Sequence, residues 1–141
     1  MLSRTAEYAV RAVLALAGTE DGRSRPANEI ADELGVPRNY LSKVLNRLAK
    51  RGLLVSERGP RGGFRLAQPG SAIVLADVVA EFDDPSPSGR CVLGGRTCDP
   101  ARPCGAHERW KEWSQSMARQ MGDTTVADFV SGSGGTGVEA A

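Results

Sequence analysis

The sequence predicts a mostly α protein with a small β wing, a winged helix-turn-helix domain followed by a long carboxy-terminal dimerisation helix. Three observations carry that expectation. Two helical patterns over 27–51 are separated by a tight glycine turn. Two short apolar runs then flank a tip rich in Arg, Gly and Pro. Finally, a late helical pattern places Trp110, Trp113, Met117 and Met121 on one stripe.

Residues 3–17 read as a helix, because Ala6, Ala9, Val10, Val13, Leu14 and Ala17 recur at three- and four-residue spacing. Ser3 is its N-cap candidate and Gly18 its stop. Residues 27–34 put Ala27, Ile30, Ala31 and Leu34 on one face, and Gly35 breaks that helix. Pro37 then suits the first position of a helix over 37–51, where its missing N–H costs nothing. Tyr40, Leu41, Val44, Leu45 and Leu48 form the apolar stripe, and Gly52 ends it. Leu53–Val55 and Phe64–Leu66 read as strands of a hairpin with a long cationic tip. Residues 73–82 form another apolar-faced helix, followed by the breaker-rich segment DDPSPSG. From Ala106 to about Met121 helix returns, then a short helical piece, TVADFV. The tail SGSGGTGVEAA is expected to be disordered.

The 141 residues allow one small domain with an appendage, long enough to bury a core without staples. The formal net charge of +1 conceals a division. Residues 1–70 carry net +5 and residues 71–141 net −4, while 38–65 alone carry +7. Such asymmetry suggests a basic module joined to something else. No apolar run is long enough to span a bilayer, and the amino terminus lacks the pattern of a signal peptide. A soluble protein of the cytoplasm with no membrane partner is expected. No phosphate loop or paired-acid motif is present, and a single His leaves no room for a Ser/His/Asp set. The expectation is therefore a non-enzyme without a small-molecule substrate.

In a helix-turn-helix the second helix enters the major groove and offers its amino-terminal residues to base edges. Here that helix offers Arg38, Asn39, Tyr40, Ser42, Lys43 and Arg47 to bases or phosphates, and the wing tip offers Arg58 and Arg61. Tyr40 serves packing equally well. Arg58 is the first choice for a base or minor-groove contact, and Arg47 and Lys50 suit a phosphate or solvent. The expected partner is double-stranded DNA.

All three Cys and the only His fall within 17 residues, as Cys91, Cys98, Cys104 and His107. Cytosolic thiols stay reduced, so a disulfide framework is not expected. Three thiolates and an imidazole suit zinc or an iron–sulfur cluster. Zinc sites favour Cys pairs closer than the spacings of six and five found here, and a cluster accepts wider ones. A His ligand would raise a cluster's potential. Free thiols in a surface loop are the plain alternative. The Trp and Met stripe would stay exposed in a monomer, and pairing with the same helix of a second chain would cover it, giving a homodimer.

These residues together carry a family resemblance. MLSRTAEYAVRAVLALA, IADELGVPRNYLSKVLNRLAKRGLL, RGPRGGF, IVLADVV and PCGAHERW resemble the iron–sulfur winged-helix transcriptional regulators of the IscR/NsrR type, over about residues 1–130. The resemblance implies a homodimer with crossed long helices, and an iron–sulfur cluster whose state modulates operator binding. A 2Fe–2S cluster is expected ahead of a 4Fe–4S one. By position, Cys91, Cys98 and Cys104 match the family thiolates. His107 matches the fourth ligand, with Glu7 of the partner subunit as the alternative.

The expected organisation is a DNA-binding domain over 1–82, a linker and Cys-rich loop over 83–105, a dimerisation helix with a short terminal helix over 106–130, and a tail over 131–141. The expected function is a DNA-binding transcriptional regulator, a repressor, that senses redox state, nitric oxide or Fe–S supply. The rival readings are a winged-helix protein-interaction module with a zinc- or thiol-stabilised loop, and a cluster-free regulator of the same fold.

Overall fold

The computed structural model describes residues 2–19, 21–83, 101–102 and 105–132 of the chain. In order these form α1 (Arg4–Ala17), α2 (Ala27–Leu34), α3 (Arg38–Lys50), β1 (Leu54–Glu57), β2 (Gly63–Leu66), α4 (Leu75–Ala80), α5 (His107–Asp123) and α6 (Val126–Gly132). A 3-10 turn over Gly70–Ala72 precedes α4. The architecture is mostly α with one small antiparallel sheet, as the sequence predicts. Among the described residues, no helix is long and apolar enough to cross a membrane.

Ser3 caps α1, its hydroxyl accepting from the Ala6 amide at 3.1 Å. Ala6, Ala9, Ala12, Val13 and Leu16 bury the inner face of that helix. Helix α1 packs on α3, α4 and α6. Helix α2 ends at Gly35, whose left-handed φ of 68° makes the turn into α3. Pro37 stands one position earlier than expected, as the N-cap. Its ψ of 131° is extended, and its carbonyl receives the Leu41 amide at 3.0 Å. Leu41, Val44, Leu45 and Leu48 of α3 are buried against the core formed with α1 and α2.

The hairpin register pairs Leu54 with Leu66 and Glu57 with Gly63. The ladder thus runs further than the apolar runs alone, and the tip shrinks to 58–62. Arg25 joins the sheet edge, exchanging backbone bonds of 2.9 and 2.8 Å with Phe64. Gly63 permits that approach, because a Cβ at its φ of 149° would overlap the Arg25 carbonyl. Arg25 is only 8% exposed, and its side chain is held by Glu29, at 2.8 Å, and Glu33 of α2. Burial would lower its pKa, and the hydrogen bonds it donates to Glu33 and Glu29 outweigh that and raise it. The wing is thereby tied to α2.

Helix α4 is shorter than the periodicity over 73–82 suggests. Ile73 accepts from Val126 and the Leu75 amide donates to Thr124, both at 2.9 Å, so the backbone there is committed to an extended bridge. The same bridge returns α6 to the first core, where Val126 is fully buried. By packing, α6 sits on α1, whereas α5 lies along α4.

Candidate DNA interface and the cysteine segment

Helix α3 presents three kinds of side chain. One face is the buried stripe. Opposite it, Asn39, Lys43, Asn46 and Lys50 recur at four, three and four residues and are all exposed. Asn46 completes a face on which the sequence already places Asn39, Lys43 and Lys50. The signal was the spacing itself, taken on the side away from the leucines.

The flanks between those faces are held by the protein. Arg38 donates to both carboxylate oxygens of Asp32 on α2, at 3.0 and 2.7 Å. The Arg38 hydrogen bonds hold the Asp32 carboxyl below its ordinary value, and Arg38 is raised in turn. Arg47 donates to the Glu81 carbonyl at 2.7 Å and to its carboxylate at 3.3 Å, with its guanidinium 4.6 Å from the Phe82 ring centre. Arg51 lies 3.9 Å from the other Glu81 oxygen. Tyr40 is partly exposed; its hydroxyl bonds Thr5 of α1 and its ring meets Tyr8 edge-on, with centroids 5.7 Å apart. Packing is thus one established role of Tyr40. Ser42 is half-buried on the flank nearer α2.

At the wing, Arg65 is bound to Glu57 at 2.6 Å, and that bond holds the Glu57 carboxyl below its ordinary value. Arg58 and Arg61 stand exposed at the tip. An antiparallel hairpin after a helix-turn-helix, with exposed cations at its tip and a polar, basic outer helix face, is the anatomy of a winged-helix DNA-binding regulator.

Cys91, Cys98 and Cys104 lie outside the described residues, and no metal-holding cluster occurs among the described ones. His107, half-buried, is the first residue of α5, and Glu7 is exposed in the first turn of α1. The segment's near anchor is fixed: Asp83 accepts from the Ser3 amide at 2.6 Å.

Comparison with known proteins places the chain. A family model, Rrf2, described as iron-dependent transcriptional regulators, matches residues 2–132. The chain belongs to that family. A relative from Aquifex aeolicus (strain VF5), named as an HTH-type transcriptional regulator, is 34% identical over 132 residues, covering 92% of this chain and 91% of its own. The solved structure of T. potens IscR is similar with a TM-score of 0.73 at 23% identity, covering 94% of this chain and 88% of that one. CymR (YrzC), the global cysteine regulator of B. subtilis, is similar with a TM-score of 0.72 at 24% identity, covering 93% and 96%. At those identities the two structures speak to the fold. The family and the relative make the chain a DNA-binding transcriptional regulator and not an enzyme.

Proposed function

We propose that this Rrf2-family regulator is a cytoplasmic homodimer whose operator binding depends on an iron–sulfur cluster responsive to redox state, nitric oxide or Fe–S supply. The observation that carries the proposal is the donor set. Three thiols and the chain's only imidazole occur within 17 residues, in a family described as iron-dependent. That chemistry fits a cluster. Cys91, Cys98 and Cys104 would hold it, with His107 or Glu7 of the partner subunit as the fourth ligand. When bound, a cluster supplies a centre whose charge changes with oxidation or nitrosylation, and 2Fe–2S remains the favoured type.

DNA is read by α3 and the wing. Asn39, Lys43, Asn46 and Lys50 face the major groove, with Ser42 beside them, and Arg58 and Arg61 take the flanking backbone or minor groove. Arg38, Tyr40 and Arg47 position α3 from its flanks and reach DNA only on releasing their present partners.

Residues next to the Cys segment touch the reader. Glu81 and Phe82 hold Arg47, and Asp83 holds the start of α1. Altered order beyond Asp83 would shift those contacts, and different DNA affinities of the two states would change occupancy.

Anaerobically purified protein should be coloured, contain iron and acid-labile sulfide, and bind its operator differently from aerated protein. Colourless protein holding one zinc per chain would overturn the cluster. Iron-free protein with unchanged operator binding would make it a cluster-free regulator of the same fold.

A further inference from the structure

Residues 1–70 carry 12 Lys and Arg side chains. Arg23, Arg25, Arg38, Arg47, Arg51 and Arg65 are held by carboxylates of the chain. Arg11 donates to the Leu34 carbonyl at 3.0 Å. The rest, Arg4, Lys43, Lys50, Arg58 and Arg61, have no hydrogen-bond or ion-pair partner among the described residues. Cations without an internal counter-charge are the ones whose solution counterions a polyanion displaces.

Four of these five belong to the outward face of α3 or to the wing tip. The fifth does not. Arg4 is the first residue of α1, yet it lines one open cleft with Lys43 of α3, together with Tyr8, Pro37, Asn39 and Tyr40. Among the described residues no carboxylate lines that cleft. The Tyr40 bond to Thr5 and the edge-on contact of Tyr8 with Tyr40 fasten the first turn of α1 to that of α3. Arg4 is therefore carried at a set position beside the reading helix. A cation at the amino-terminal end of a helix opposes the helix dipole, and no ion pair among the described residues offsets it. Its placement is unfavourable for folding and favourable for an external anion.

We propose that this cleft seats a backbone phosphate of the bound duplex between Arg4 and Lys43, with the Asn39 amide beside it, so that α1 joins α3 and the wing in the DNA interface. The inference rests on the reading of α3 and the wing as the DNA-binding surface. Its ligand class follows from the lining: two cations and neutral donors around a site without acids suit a phosphodiester. A phosphate held there would fix the register of α3 in the groove without reading sequence.

Fluorescence anisotropy of the full chain on two duplexes of unrelated sequence, across a salt series, tests this. Arg4→Gln should weaken both duplexes several-fold and equally. It should also make the slope of log K against log salt shallower by about 0.9. Arg4→Lys should retain most of the binding. Lys111→Gln, on an exposed position of α5, removes the same charge elsewhere and serves as the control. If Arg4→Gln changes no more than Lys111→Gln while the unaltered chain binds normally, the cleft is outside the interface and only this inference falls. A loss confined to one duplex would mean base reading and overturn the phosphate assignment, and so would equal losses in Arg4→Lys and Arg4→Gln. If the unaltered chain binds neither duplex, the DNA-binding surface and the cleft fall together.

Discussion

Helices α3 and α5 are both amphipathic and of comparable length, 13 and 17 residues, but they treat their apolar faces differently. α3 buries Leu41, Val44, Leu45 and Leu48 within its own chain. In α5 only Ser114 is buried; Trp110, Met117 and Met121 are half-covered and Trp113 is 59% exposed. The position of α3 is thus set by one chain's core, so its outer face can be a rigid reading surface. Among the described residues the stripe of α5 stays partly open, and under the homodimer proposed above a second copy would cover it.

The sharpest way to break that contrast is Leu45→Ala. Removing a fully buried leucine should cost about 2–5 kcal/mol by denaturant unfolding. A cost near zero would mean that α3 is not anchored as described. Next in size is Trp113→Glu. It should leave the unfolding of the α1–α3 core unchanged but raise the dimer dissociation constant by about tenfold or more in sedimentation velocity, as for loss of an interface aromatic. An unaltered dimer would place the interface elsewhere. Third, Arg58→Ala with Arg61→Ala should flatten the salt dependence of DNA binding by about two phosphate contacts without changing the melt. Equal flattening by Arg38→Ala would show that the fastened flank of α3 reads DNA as strongly as the free wing tip.

The smallest effect concerns acid. Asp32 titrates below its ordinary 3.8 because Arg38 bonds its carboxylate. Their pair therefore contributes stability above that value and loses it as the pH falls through the depressed pKa. Asp32→Asn should flatten the acid limb of the stability profile below about pH 4 and change little at neutrality, since both partners are exposed. A neutral-pH loss as large as that of Leu45→Ala would make the flank pair as structural as the core.

Much of the fold was legible because it is local. The Ser3 cap, the Gly35 turn and the leucine spacing of α3 are signals contained within a few residues of the element they specify. Two boundaries moved, for different reasons. Pro37 became a cap through a local bond, its carbonyl accepting from Leu41, whereas α4 started late because Ile73 and Leu75 bond the distant segment before α6. The candidate site was legible in composition but not in allocation. Arg38 and Arg47 read from sequence as cations like Lys43, and only the fold shows Asp32 and Glu81 beside them.

The sequence by itself determined the order of elements, the basic sign of the amino-terminal half and the gathering of three thiols and one imidazole, because periodicity, turns and charge are properties of neighbours along the chain. Only the tertiary structure decided which cations are neutralised internally and which stay unpaired among the described residues, that α6 closes onto α1, and that Arg4 and Lys43 line one cleft. Those depend on residues far apart in sequence meeting through packing, and no local pattern records which carboxylate an arginine will reach.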